Sequence, residues 1–264
     1  MASRIFVPKG KLFIIDLKYP KLLVIDELVM EDGSRLDIQQ DLEMQVTQSV
    51  VIGSNCQITA NGAAGPSGAN AVGTYPQAPQ LTPGHTGDAG ADGRPGWRGM
   101  NLTFTWAIDT IGDCVVQANG GNGGTGGNGG VGGKGGGATC LGGNGREGGN
   151  GGAGGRGGSG GSSGRIRLTW FKASLAALST SLEKDLDILG FKTITGISAV
   201  PIGLRFEANS GHAARGGLGG EAGGGGDGVE CGLYGQGGGS RGWKGVDGRS
   251  GANGETHLPE SRLG

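Results

Sequence analysis

The stretch from Gly120 to Gly137 reads GGNGGTGGNGGVGGKGGG, with a glycine on every third residue and a second glycine after most of these. The register breaks at residues 138–141 and resumes from Gly142 to Gly160. This period fits neither an α-helix nor a strand, but it is typical of an extended left-handed helix with three residues per turn. The Gly-Gly-X repeat therefore predicts a bundle of polyglycine II helices whose X side chains face outward.

Helices of this kind have no internal hydrogen bonds, so their backbone groups must pair with those of neighbouring helices. The alternative is a flexible or disordered glycine linker. A linker has no reason to keep its register over two runs, and we therefore expect an ordered bundle.

The composition narrows the class of protein. Glycine supplies 65 of 264 residues, against a usual share of about 7%. The net charge of −1 creates no field that would attract nucleic acid or anionic lipid. No apolar run approaches the roughly 20 residues that span a membrane, and charged residues interrupt the N-terminal region, so we predict no signal peptide. We expect an extracellular, cell-surface or virion protein that is exported by another route or has lost a signal through processing.

Residues 1–50 differ from the glycine-rich part and contain short β-type runs about 10 to 12 residues apart. Such spacing suits a β-sandwich or a short β-solenoid, and an antiparallel cap sheet fits equally well. Unpaired strand edges invite strand addition. We therefore predict that residues 1–50 attach the chain to another copy or to another fibre protein.

An internal repeat organises residues 51–264. Three short strands end in Ala-Asn, at Asn61, Asn119 and Asn209, and each opens into a glycine-rich arm that turns and returns. The predicted fold is mainly β plus polyglycine II. It has an N-terminal β region and a β base that carries three glycine-rich hairpins, about six polyglycine helices in all, at roughly 61–100, 119–164 and 209–254.

The segment 172–189 has leucines at helical spacing, namely Leu175, Leu178, Leu182, Leu186 and Leu189. This pattern predicts one inserted amphipathic α-helix that packs on the base.

The four cysteines form two pairs under the repeat. Cys56 and Cys114 hold equivalent positions and should lie on neighbouring strands, either as a disulfide or as isolated thiols. Cys140 and Cys231 both fall near hairpin tips, where a disulfide would join two tips. An even count in a protein with a small core makes disulfides plausible.

The sequence contains no motif that predicts catalysis, a cofactor or a metal. The matches to G-x-G-x-x-G lie outside any βαβ unit, and no phosphate loop or repeated calcium nonapeptide occurs. His85, His212 and His257 are isolated. A bundle surface rich in glycine offers poor walls for an active site, and we expect a protein that is not an enzyme.

The hairpin tips carry most of the departures from glycine, and loops on a rigid scaffold often bind partners. If the arms run side by side, five residues meet at one end, where they either form a candidate binding surface or only close the turns: Tyr75, Leu81, Leu141, Leu233 and Tyr234.

The glycine arms resemble those of polyglycine II bundle proteins, such as the receptor-binding adhesins at the tip of the long tail fibre of T-even-type bacteriophages. The resemblance covers roughly residues 61–100, 119–164 and 209–254. It implies an N-terminal attachment region and variable distal loops that select a receptor. The arms are also similar to the glycine-rich antifreeze proteins of springtails.

Three functions remain open. The first is a non-enzymatic structural and adhesive protein, a rigid fibre or filament subunit that presents its tips to a surface or partner. The second is a bacteriophage tail-fibre adhesin that binds a cell-surface receptor. The third is an ice- or glycan-binding protein that uses the row Asn122, Thr125 and Asn128, which Val131 and Lys134 interrupt.

Overall fold

The computed structural model describes residues 3–73, 75–173, 201–231, 234–236 and 260–263, with backbone alone from residue 231 onward. Its first sheet has six strands, in the spatial order β1 (Arg4–Val7), β3 (Leu22–Met30), β5 (Leu42–Ile52), β7 (Leu102–Ile111), β9 (Ile166–Lys172) and β13 (Glu260–Leu263). The second sheet has five, in the order β10 (Leu204–Glu207), β8 (Cys114–Gln117), β6 (Cys56–Thr59), β4 (Arg35–Ile38) and β2 (Leu12–Ile15). A separate antiparallel pair joins β11 (Val229–Cys231) and β12 (Tyr234–Gln236).

All pairs within the two large sheets are parallel, and the chain winds between the sheets as a coil. Each turn of the coil adds one strand to each sheet. An antiparallel cap sheet, which the sequence equally allowed for residues 1–50, is absent from the described residues of that region. We call this two-sheet coil the base.

The base is held together by the apolar side chains that its strands turn inward. In β5, for example, buried and more exposed residues alternate over much of the strand, as expected where one face of a sheet packs on a core. The largest fully buried side chains include Trp106, Phe104, Met44 and Leu36. At about 25 cal/mol per Å² of apolar surface removed from water, this core is the main source of stability in the base.

Beyond the base the chain forms five described glycine-rich segments, which we number in chain order. Segments I (61–73), III (119–137) and V (209–227) follow β6, β8 and β10, and segments II (84–100) and IV (145–164) lead back into β7 and β9. Backbone hydrogen bonds join neighbouring segments at every third residue. Segment III, for example, is bonded in this way to the other four. We call this assembly the bundle.

The predicted fold class is wrong in its helices, although its mainly β character fits in part. The regular elements among the described residues are strands, and the glycine segments are not assigned as polyglycine II or any other helix. The reason is that a glycine on every third residue marks where two backbones approach, and such contacts do not specify a helix. The inserted α-helix predicted at 172–189 fails at its start, because Lys172 ends strand β9. Residues 174–189 lie outside the described part.

The position of each segment in the bundle explains its glycine content. A Cβ atom added at Gly124 of segment III would lie 2.0 Å from the Pro66 carbonyl oxygen, so only glycine fits. Segment III has described neighbours on four sides and follows Gly-Gly-X. Segment I is bonded, among the described segments, to II and III alone and has glycine at about one position in three. The outer register of segments I and II carries side chains instead: Ala63, Pro66, Ala69, Val72, His85, Asp88, Ala91, Arg94 and Trp97.

Candidate interaction surfaces

The far end of the bundle is formed by the turns that join the segments. Leu81 is half-buried, and its side chain fills the space beside Gly142. Leu141 is fully exposed, at 103%. The Lys134–Asp227 ion pair at 2.6 Å joins the outer ends of segments III and V. A hydrogen bond of 3.2 Å from Arg146 Nε of segment IV to the Leu81 carbonyl holds the turn between segments I and II. The far end of the bundle is therefore a fixed platform that presents the Leu141 side chain to solvent.

Tyr75 lies below the tip, on the side of the bundle formed by segments I and II. Its ring stacks on that of His85 with centroids 5.4 Å apart. A hydrogen bond from its hydroxyl to the Asp88 carboxylate raises the pKa of Tyr75. The structure thus separates Tyr75 from Leu141, while Leu81 lies against the turn that carries Leu141. Leu233 and the Tyr234 side chain lie outside the described residues.

The cysteines differ in state. Cys56 and Cys114 are opposite one another on β6 and β8, and both are buried free thiols. Burial raises the pKa of Cys114 to about 12, so this thiol is a poor nucleophile near neutral pH. Cys140, in the tip turn, is disulfide-bonded. The Cys231 side chain, its predicted partner, lies outside the described part of the molecule.

The X residues of segments I, III and V share one face of the bundle, and asparagine has a structural role there. The side-chain oxygen of Asn122 accepts a hydrogen bond of 2.9 Å from the His212 backbone N–H, and Asn128 does the same for Leu218. Thr125 bonds to the Ser67 hydroxyl at 3.0 Å. The row proposed for ice or glycan binding therefore uses its oxygen atoms within the protein.

Segments I and II form a side wall that carries an exposed aromatic residue. Trp97 is 67% exposed. A shallow groove beside it is lined by Pro66, Arg94, Pro95, Gly96 and Arg98. An exposed indole ring next to a guanidinium group can stack on the flat face of a sugar or of another planar group.

At the foot of this wall an ion pair fixes the bundle to the base. The two terminal guanidinium nitrogens of Arg98, Nη1 and Nη2, donate to the Asp41 carboxylate at 2.9 and 2.8 Å. Asp41 also accepts the Asn101 backbone N–H at 2.9 Å. These contacts lower the pKa of Asp41, and the hydrogen bond with Arg98 has the largest effect. Sequence reasoning missed this pair, because its members are 57 residues apart and belong to different structural units.

The N-terminal region contributes the outermost strand of each large sheet, β1 in the first and β2 in the second. Several apolar side chains around them are exposed, and they occur on both sheets: Phe6, Leu12, Ile14, Leu17, Leu22 and Val24. Strand edges rich in apolar residues are sites of pairing with other chains. The edges β1 and β2 are therefore the candidate surface for strand pairing in the described N-terminal region.

Across the described ranges, no group of three or more His, Cys, Asp or Glu side chains is arranged to hold a metal ion. In the same ranges, no helix is long and apolar enough to cross a membrane.

Comparison with known proteins does not assign the chain to a family. No protein-family model matches the chain, and no curated protein matches it. A solved structure of a springtail antifreeze protein from Granisotoma rainieri, described as a nine polyproline type II helical bundle whose crystal waters match the ice lattice, is 19% identical. The alignment covers 74% of this chain and 96% of that chain with a TM-score of 0.12. At that score the likeness carries no argument about fold or function.

Proposed function

We propose that the chain is a non-enzymatic structural and adhesive protein, a subunit of an extracellular fibre that binds a surface or partner through its tip. The observation that supports the proposal is the ladder of backbone hydrogen bonds across all five described segments. Such a ladder makes the bundle stiff and holds the tip at a distance from the base. Residues 1–50, with their exposed edges, attach the subunit to its neighbour.

The same architecture would serve a bacteriophage tail-fibre adhesin, with the tip as the receptor-binding surface. A glycan-binding function is the second candidate, because Trp97 is exposed beside a groove that contains Arg94. In that case the site lies on the side wall and not at the tip.

Electron microscopy and a cell-binding assay of the purified chain test the proposal. We expect elongated polymers that bind to a panel of bacterial cells. The substitution Leu141→Ser should reduce binding at least tenfold, because Leu141 is the fully exposed apolar residue of the tip turn. The control Ile202→Ser should bind normally, because Ile202 is 96% exposed and precedes β10, on the side of the base away from the bundle. Dispersed monomers would overturn the fibre, and binding lost only with Trp97→Ala would favour the glycan site.

A further inference from the structure

The two ends of the base are incomplete in complementary ways. In the first sheet β1 pairs with Glu27–Met30 of β3, and among the described residues no strand pairs with Leu22–Ile25 on that side. At the other end β13 pairs with Arg167–Trp170 of β9. The registers across the sheet place Arg167–Trp170 level with Leu22–Ile25. The four residues of β13 therefore occupy the half of a row that β1 leaves vacant.

The second sheet ends in a matching way. Its strands β2 and β10 are both edges and both four residues long. Successive registers give one inward-facing column across the sheet: Phe13, Leu36, Ile58, Val116 and Phe206. The three central residues are buried, whereas the phenylalanine at each end is only half-buried. Each end of the column thus presents the side of an aromatic ring that would be covered by one further strand.

The β2 edge of the N-terminal coil lacks the usual protection. Coiled repeat proteins need polar terminal repeats to stay soluble, and natural edge strands carry charges, prolines or bulges. The strand β2 reads LFII and has none of these. An edge of this composition is expected to be paired with another strand.

We propose that copies of this chain stack head to tail, with β2 of one copy pairing in parallel with β10 of the next. In the first sheet, β13 of one copy pairs with Leu22–Ile25 of its neighbour, and the neighbour's β1 fills the other half of the same row. The partner is a second copy because one chain supplies both complementary ends. An interface between different ends gives either a closed ring or an open filament, and stacking along the axis of the coil gives the filament. The inference deepens the proposed fibre function and rests on it.

The bundle leaves room for this stacking. Segments I to V arise from β6, β8 and β10, so the coils that contain β2 and β4 carry no arm. In a stack these two coils separate the bundle of one copy from the side wall of the next. The second sheet contributes five strands per copy, and at about 4.8 Å between strands the filament repeats every 24 Å or so.

Cysteine pairing between two variants of the full chain tests the register. Phe13→Cys and Phe206→Cys should form an intermolecular disulfide when the two proteins are mixed under mild oxidation. Neighbouring strands lie within the Cα separation that a disulfide allows. Either variant alone should give no dimer. A dimer of Phe13→Cys alone would overturn the head-to-tail arrangement in favour of a symmetric pair.

A second variant avoids any change in the inward column. In an edge strand the N–H and C=O groups of one residue face the same side, and successive residues alternate. The Lys11 and Ile15 carbonyls accept hydrogen bonds from the side of β4. The N–H groups of Leu12 and Ile14 therefore face away from the sheet. Ile14→Pro removes one such N–H without breaking a bond to β4. We expect it to abolish polymers and leave the melting temperature of the monomer unchanged, whereas Ile14→Val should polymerise normally. Polymers that lack both the Phe13–Phe206 crosslink and the 24 Å repeat would reject this interface but not the fibre function. If the unmodified chain forms no polymer, both the interface and the fibre function are rejected.

Discussion

Single atoms decide which residues the bundle can contain. The glycines of segment V illustrate this, because two of them have opposite surroundings. A Cβ atom at Gly217 would lie 1.9 Å from the Gly127 carbonyl oxygen, whereas one at Gly224 would have nothing within 4 Å. A carbonyl oxygen belongs to the backbone of a neighbouring segment and cannot move aside as the end of a side chain can.

The pair Gly217→Ala and Gly224→Ala therefore tests how closely the segments pack. We expect Gly217→Ala to lower the free energy of unfolding by about 1–3 kcal/mol or more, the cost of overpacking. Gly224→Ala should raise it by about 0.4–1 kcal/mol, because alanine restricts the unfolded chain. Urea denaturation of both variants measures the difference. Equal effects would mean that the segments are not in contact at Gly217.

At the scale of the element, asparagine side chains connect one segment to the next. The Asn61 side chain accepts the backbone N–H of residue 119, 58 residues further on, and the Asn119 side chain accepts that of residue 209, 90 residues further on. The same two offsets recur along their pairs of segments. Two X residues of segment V, His212 and Leu218, donate their backbone N–H to an asparagine side chain of segment III. The asparagine oxygen takes the place that a backbone carbonyl has elsewhere in the ladder.

We predict that Asn122→Ala lowers the free energy of unfolding by about 1 kcal/mol, the usual contribution of one hydrogen bond. The lost bond is that of 2.9 Å to the His212 N–H. Val131→Ala, at an exposed X position of the same segment, should change stability by less than about 0.5 kcal/mol. Differential scanning calorimetry distinguishes the two. A silent Asn122→Ala would show that water replaces the asparagine without cost.

The sequence predicts these elements unevenly. The period of three and the Ala-Asn repeat at Asn61, Asn119 and Asn209 locate the segments and their order, because both follow from contacts that recur along the chain. They do not specify the backbone conformation, and so the helical fold class fails. The Asn122 bond and the Asp41–Arg98 pair depend on which segments become neighbours. The partners in these contacts are 57 and 90 residues apart in the sequence, so a local pattern cannot predict them.

For the whole molecule, the junction between base and bundle makes stability depend on pH. The pKa of Asp41 is lowered, chiefly by Arg98. A carboxyl group with a lowered pKa stabilises the folded protein above its ordinary pKa of 3.8, and that contribution is lost as the pH falls further. Both side chains are partly exposed, at 49% and 35%, so the contribution is about 1 kcal/mol or less.

Comparison of the unmodified chain with Asp41→Asn over pH 2 to 7 tests this linkage. The difference in their free energies of unfolding should be constant above about pH 5 and should shrink towards zero below 3.8. Chemical denaturation at each pH provides the values. If the difference persists unchanged at the acid end, the carboxylate charge is not what holds the bundle to the base.

The ladder of backbone hydrogen bonds also restricts the lengths that the bundle can have. Since every described segment meets its neighbours at each third residue, the projection can lengthen only by whole triplets inserted into all segments together. Each such step adds at most about 10 Å of reach and leaves the base and the tip untouched. One or two extra residues in a single segment would instead shift all its later glycines onto positions where side chains belong. Natural or engineered lengths of this projection should therefore form a discrete series.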